Sequence, residues 1–133
     1  MGKKTVVLSV KTNAHNEMID ITASVENAIS ATGITDGFCM VYVPHTTAGV
    51  TINENADPSV RRDILSALKH IVPDNLNYTH MEGNSTGHIK ASLMGSSVTI
   101  GITDGKLVLG TWQGIFFCEF DGPRQRKAVV SFW

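Results

Sequence analysis

Three histidines carry the clearest chemical signal in this sequence. His45 follows a run of β-forming residues, and His80 and His88 bracket a short polar segment. Imidazole is the commonest neutral metal ligand in proteins, and three imidazoles with an open fourth position can activate water or hold a phosphate oxygen. The pattern predicts a site for zinc or a similar divalent ion. The alternative is that each histidine only hydrogen-bonds a nearby carbonyl group. His15 and His70 are expected to be structural or to face solvent.

A polar stretch between a predicted strand and a predicted helix is the second candidate. Asn53, Glu54 and Asp57 could orient a bound ion or a ligand hydroxyl. The alternative is helix capping, for which Asp57 suffices because its side chain can accept unpaired backbone N–H groups.

Two further segments could bind an anion. In Gly95-Ser96-Ser97, glycine would let backbone N–H groups approach the anion and the hydroxyls would add donors. Arg124 and Arg126 could clamp a phosphate, since a guanidinium suits a two-point contact. An ordinary turn and solvated charges are the alternatives.

Trp112 and Gln113 interrupt an apolar run near the C-terminus. The Trp112 indole could stack on a heteroaromatic ring while the Gln113 amide hydrogen-bonds to the edge of that ring. Tryptophan in a strand, however, is more often buried in a core or a subunit interface. We predict packing for Trp112 and leave Gln113 open.

Composition indicates one globular domain over residues 1–133. Apolar residues make up 42% of the chain and charged residues 17%, and the formal net charge is -1. No run of Lys or Arg exceeds two residues, so neither a nucleic acid nor an anionic membrane is an expected partner. Cys39 and Cys118 lie in apolar runs and are predicted to be buried thiols. With no secretory or membrane-spanning segment, we expect a cytoplasmic protein.

Residue patterns predict an α+β fold of mostly antiparallel strands with two helices packed on one face. The predicted strands include Thr5–Val10, Phe38–Val43, Val50–Ile52, Val98–Thr103, Lys106–Leu109, Ile115–Phe120 and Lys127–Phe132. Asp104-Gly105 predicts a two-residue hairpin turn, and the C-terminal third is predicted to be an antiparallel meander.

Apolar residues at helical spacing predict the two helices. The first is expected to be capped by Asp20 and to end at Gly33, and the second to begin at Asp57-Pro58 and end at Pro73.

Five segments together resemble the YjbQ family, described as secondary thiamine-phosphate synthases. The resemblance covers nearly the whole chain and depends on the segments Val43–Gly49, Ile52–Pro58, His88–Ser97, Leu109–Gly114 and Asp121–Arg126. It implies a small α+β fold, a homotrimer, and a histidine cluster near subunit boundaries that holds a metal or an anion.

Site residues follow from the motifs and the resemblance together. We expect catalysis from His45, Glu54, Asp57 and Arg124. We expect substrate or anion contacts from Thr46, Thr47, Asn53, Asn84, Gly95, Ser96, Ser97 and Gln113. We expect metal ligation, with zinc or magnesium, from His45, His80 and His88.

The resemblance implies a transferase that joins a pyrimidine pyrophosphate to a thiazole phosphate with release of pyrophosphate. Its partner would be a small phosphorylated metabolite. Two alternatives remain open: a metal-dependent hydrolase of phosphate esters, and a non-catalytic trimeric module that binds a metal or ligand.

Overall fold

A computed structural model describes residues 2–133, which form eight strands and three helices. The strands are β1 (Lys4–Lys11), β2 (Glu17–Asp20), β3 (Gly37–Tyr42), β4 (Ala48–Glu54), β5 (Ser97–Thr103), β6 (Lys106–Leu107), β7 (Gln113–Glu119) and β8 (Gln125–Phe132). The helices are α1 (Thr22–Thr32), α2 (Pro58–Ile71) and α3 (Ser85–Met94).

Two antiparallel sheets organise the fold. The first, sheet A, has the strand order β1-β8-β3-β5-β6, and the second, sheet B, has the order β2-β7-β4. Val41 and Val130 of sheet A share one buried cluster with Ile115 and Phe117 of β7. The predicted α+β class is therefore confirmed.

Strand β7 is buried on both faces because apolar residues occupy successive positions. Ile115 and Phe117 belong to the cluster between the sheets, to which α1 also contributes. Phe116 and Cys118 belong to a second cluster together with Leu68 of α2 and Ala91 of α3. Helices α2 and α3 thus cover the outer face of sheet B. The two helices predicted from the sequence, α1 and α2, pack against different clusters.

The third helix was not predicted from the sequence. The buried residues of α3 include Thr86, Gly87 and Lys90, so this helix lacks the apolar stripe by which amphipathic helices are recognised. Across residues 2–133, each helix is too short or too polar to cross a membrane.

The predicted C-terminal meander is wrong beyond its first hairpin. Asp104 and Gly105 do adopt the left-handed backbone of the predicted turn, with φ of 52° and 74°. After it, however, β7 pairs with β2 and β4, whereas β8 lies between β1 and β3. The connection between β7 and β8 therefore crosses from one sheet to the other.

Helix ends follow the predicted chemistry with one exception. Asp57 caps α2 by accepting a hydrogen bond from Ser59 N at 2.9 Å, and Gly33 ends α1 with φ of 71°. The capping position of α1 is Ile21 rather than Asp20. Asp20 still serves the first turn, since its carboxylate accepts from Thr22 N at 2.9 Å.

Helix α3 lies close against β4 and the loop before it because two glycines leave room. A Cβ on Gly49 would stand 2.6 Å from Gly95 O, and a Cβ on Gly87 would stand 2.9 Å from Phe120 O. Both obstacles are backbone atoms, which cannot turn away as a flexible side chain can. This contact sets the separation between α3 and the β3–β4 loop.

We predict that Gly49→Ala lowers the free energy of unfolding by about 1–3 kcal/mol, since overpacking would push α3 away from β4. Gly101→Ala is the matched control, because a Cβ there meets only Val108 side-chain atoms at 3.6 Å and beyond. Urea denaturation measures both variants. Equal stability of Gly49→Ala and the wild type would contradict the proposed contact.

Candidate functional site

His45 lies in the β3–β4 loop, on the wall of a cleft of about 400 Å³. Helix α3 forms the opposite wall with His88, Ala91 and Ser92. Gly95 and Ser96, in the turn after that helix, close one side. The structure therefore brings His45 and His88 to one cleft with side-chain hydroxyl groups around it.

His80 and His88 form a pair on the other side of α3. Their ring centroids are 5.3 Å apart with the planes at 84°, and both rings line a second cleft of about 450 Å³ beside Tyr78. His88 borders both clefts. The only carboxylate near His80 in the described residues is that of Glu82, at 4.0 Å on the exposed surface.

The three predicted metal ligands are not grouped within one chain. Among residues 2–133, no three His, Cys, Asp or Glu side chains are arranged to hold an ion. His45 shares a cleft with His88 but not with His80, and its Nε2 accepts a hydrogen bond from Lys127 N at 2.9 Å. A metal would need the same lone pair, so the residues of one chain do not fit a three-imidazole site.

A buried ion pair lies beneath the His45 loop. Glu119 is fully buried and Arg126 is 5% exposed. Both carboxylate oxygens of Glu119 accept from Arg126, through Nε at 2.8 Å and through Nη2. Thr12 Oγ1 and Asp121 N donate to the same carboxylate at 2.7 and 3.0 Å. Each lone pair of the buried Glu119 carboxylate therefore accepts a hydrogen bond from the protein in place of water.

The ion pair also fixes the loop. Arg126 Nη2 donates to Thr47 Oγ1 at 2.8 Å, and Thr47 is two residues from His45. Burial lowers the pKa of His45, and the neighbouring Arg126 charge lowers it further, while Glu119 opposes the shift. The imidazole is therefore held in its neutral form.

Asn84 and Arg124 converge on Asp121 at the start of α3. Asn84 Nδ2 and Arg124 Nη2 donate to Asp121 Oδ2 at 2.9 and 3.0 Å, and His15 lies 3.7 Å from the other oxygen. Burial alone would raise the pKa of Asp121, but these bonds and the Arg124 charge lower it. Arg124 and Asn84 are thus engaged with a carboxylate in this conformation.

The predicted arginine clamp is wrong for Arg126. Its guanidinium points into the protein and bonds Glu119, whereas Arg124 is half exposed. Sequence reasoning missed Glu119 and Asp121 as site residues. Strand alternation was the available signal: Arg126 is in phase with Ala128 and Val130, which face the core.

In the predicted anion site Gly95-Ser96-Ser97, one of the backbone donors is already paired. Gly95 N donates to Ala91 O at 2.9 Å and is therefore unavailable to an anion. The turn also lies at the C-terminal end of α3, where exposed carbonyl groups favour cations. The Ser96 hydroxyl remains on the cleft wall.

The polar stretch from Asn53 to Asp57 lies at the other end of β4. Ala48 and Glu54 bound this strand, so at about 3.3 Å per residue they are about 20 Å apart. Glu54 accepts from Ala56 N at 3.1 Å and Asp57 caps α2, so both serve the local backbone. One chain does not bring them to His45.

Gln113 is paired with Glu54 across the β4–β7 ladder and is equally distant from the cleft. Its side-chain oxygen accepts from Gly110 N at 2.8 Å, which stabilises its own turn. Trp112 beside it is 63% exposed, so it does not pack in the core of one chain, and packing in a subunit interface stays a prediction.

Both cysteines are buried and free, as predicted. Burial raises the pKa of the Cys39 thiol to about 11 and that of the Cys118 thiol to about 12. Neither thiol supplies a nucleophile.

Comparison with known proteins identifies relatives over nearly the whole chain. A family model described as "UPF0047 protein YjbQ-like" matches residues 6–133. A UPF0047 protein of Methanocaldococcus jannaschii is 60% identical over 92% of this chain and 88% of its own. UPF0047 protein YugU of Bacillus subtilis is 51% identical over 93% of this chain and 95% of its own.

Solved structures show the same fold. A crystal structure from Clostridium acetobutylicum, described as an uncharacterized conserved protein of the yjbq/upf0047 family, has a TM-score of 0.94 at 56% identity over 96% of this chain and 99% of that one. A protein of unknown function from Sulfolobus solfataricus has a TM-score of 0.94 at 33% identity, over 98% and 96% of the two chains.

The buried ion pair predicts acid lability. Burial by itself raises the pKa of Glu119, but the bonds from Arg126, Thr12 and Asp121 N lower it below its ordinary value. A carboxylate with a depressed folded pKa stabilises the protein above its unfolded pKa of about 4.3, and this stabilisation is lost as the pH falls through the folded value. In Glu119→Gln, the free energy of unfolding should therefore fall less steeply with decreasing pH than in the wild type.

Glu119→Gln should also cost about 3–5 kcal/mol at pH 7, because it leaves the Arg126 charge buried without a partner. Glu26→Gln, on the exposed face of α1, is the matched control. Thermal or urea unfolding between pH 3 and pH 7 measures both effects. If the free energy of unfolding of Glu119→Gln falls with decreasing pH as steeply as that of the wild type, the role of Glu119 is contradicted.

Proposed function

The chain belongs to the YjbQ-like UPF0047 family, and from that premise we propose that it binds a small phosphorylated metabolite in the His45 cleft. The volume of about 400 Å³ suits a ligand of that size. His45, His88 and the hydroxyl groups of Thr46, Ser92 and Ser96 are the polar groups on its walls. This single cleft, shared by two of the predicted histidines, is the observation that carries the proposal.

The reaction proposed for this cleft is thiamine-phosphate synthesis, which comes from the resemblance of the sequence motifs. A thiazole phosphate would attack a pyrimidine pyrophosphate, forming a C–N bond as pyrophosphate leaves. The leaving group gathers negative charge, and hydrogen-bond donors fixed in a water-poor cleft stabilise such charge. The Lys127 side chain, exposed next to His45, would add a positive charge.

A divalent ion is not used in this mechanism, because one chain does not group three ligands for it. The zinc or magnesium predicted from the sequence stays a prediction, which elemental analysis of the purified protein checks. The predicted cytoplasmic location likewise stays a prediction.

Self-association is proposed on the outer face of sheet A. Four large apolar side chains are exposed on that face: Val7, Phe38, Tyr42 and Trp133. The charged residues Lys11 and Lys127 of the same face lie toward the start of β8. Within residues 2–133, no helix covers the four apolar side chains. Exposed apolar faces of this kind mark association sites, and the homotrimer implied by the resemblance would bury this one.

We predict that purified protein converts the two precursors to thiamine phosphate and pyrophosphate, and that His45→Ala lowers the rate by about 100-fold or more. His70→Ala is the matched control, since His70 is an exposed residue in the last turn of α2. Product analysis separates the alternatives: phosphate released from a single ester would indicate a hydrolase. Unchanged turnover in His45→Ala would reject the assigned role.

We predict that Val7→Lys combined with Tyr42→Lys converts the assembly to single chains, because two charges would be buried in the interface. Ile71→Lys is the control, because Ile71 is 67% exposed on α2, outside this sheet. Light scattering coupled to size-exclusion chromatography measures the mass. A wild-type protein that elutes as a monomer would contradict the proposal.

A further inference from the structure

The His45 imidazole accepts a hydrogen bond from a backbone amide of β8 that lies beyond the end of the neighbouring strand β3. Trp133 of the C-terminus and Phe38 of β3 exchange both backbone hydrogen bonds, and alternate residues of a strand turn their N–H groups to the same side. Lys127 is therefore in phase with Trp133 and faces β3. That strand ends at Tyr42, which pairs with Val129. Beyond this pair the Lys127 amide would have no partner, and His45 Nε2 accepts it at 2.9 Å.

This bond determines which ring nitrogen carries the proton. A neutral imidazole has one N–H donor and one lone-pair acceptor, and the hydrogen bond at one nitrogen sets the state of the other. Because Nε2 accepts from a backbone amide, Nε2 carries no proton. The proton is therefore on Nδ1. Protonation of Nε2 would break its hydrogen bond with the Lys127 amide.

The surrounding charges favour the same neutral form. Arg126 and Lys127 disfavour a positive imidazole, and both act to lower the pKa of His45. Glu119 is the one carboxylate that acts in the opposite direction. Two hydrogen bonds pair its charge with Arg126, and its effect on the pKa of His45 is smaller than those of burial and of the Arg126 charge.

Nδ1 is the polar atom that the ring has left for a ligand. His45 lines the cleft, and within residues 2–133 its only hydrogen bond is the one at Nε2. A neutral Nδ1–H can donate a hydrogen bond but cannot accept a proton. It also cannot coordinate a metal.

We propose that His45 acts in the cleft as a neutral hydrogen-bond donor, through Nδ1, to an anionic oxygen of a phosphate or pyrophosphate group, and acts neither as a general base nor as a metal ligand. The ligand class in this proposal rests on the proposed function. The protonation state of the ring rests on the β8 amide alone, so the two can be tested separately.

The first test is side-chain NMR of protein labelled with ¹⁵N-histidine at pH 7, with the His45 signals assigned from the His45→Gln variant. We expect a protonated Nδ1 and an unprotonated Nε2 for His45, and no shift of either nitrogen to metal-bound values during a zinc titration. A proton on Nε2, a doubly protonated ring, or zinc coordination by His45 would overturn the proposal.

The second test uses two variants, each of which places a polar atom near the position of one of the two ring nitrogens. Asn places its amide nitrogen near the position of Nδ1, whereas the longer Gln reaches the position of Nε2. With sulfate as the probe, because its charge is constant across neutral pH, we expect His45→Asn to retain binding within about threefold. We expect His45→Gln to lose about tenfold or more, the worth of one hydrogen bond to a charged group.

Equal losses in two variants that both give a folded backbone NMR spectrum would overturn the donor role. Absence of sulfate binding to the wild-type protein would reject the anion as ligand, whatever the tautomer. If sulfate binds as expected but no thiamine phosphate forms, only the proposed reaction fails and the role of His45 stands.

Discussion

The ion pair between Glu119 and Arg126 is the interaction on which the candidate site depends. Two charges are held out of water, and the cost is offset only because the carboxylate and the guanidinium bond each other and Thr12, Thr47 and a backbone amide. Since Thr47 belongs to the loop that presents His45, the same ion pair also fixes this wall of the cleft.

Two backbone constraints complete the cleft. On one wall, β3 stops before β8 does, and the unpaired Lys127 amide is taken by the His45 ring. On the other wall, α3 approaches β4 so closely that Gly49 and Gly87 have no space for a Cβ. Both walls are thus positioned by backbone groups, which are more rigid than side chains. A site built in this way can hold an imidazole in one orientation and one protonation state.

The candidate cleft and the capped start of α2 lie at opposite ends of sheet B. His45 and His88 lie at one end, while Asn53, Glu54 and Asp57 lie at the other and bond the backbone at the start of α2. Polar residues that cluster in a sequence can therefore serve the fold alone. If the cleft needs a carboxylate from that end, a second chain must supply it, and the exposed apolar side chains on the outer face of sheet A mark the proposed place of contact.

Local chemistry in the sequence was enough to predict the α+β class, the cap at Asp57, the turn at Asp104-Gly105 and the burial of both cysteines, because each depends on residues close along the chain. The family was also readable from motifs. Only the tertiary structure decided that α3 is a helix, that β7 and β8 belong to different sheets, and that Arg126 bonds Glu119. It also decided that His45 bonds an amide far along the chain and that it shares no cleft with His80. These contacts join distant segments, and the register and packing that create them are properties of the whole fold.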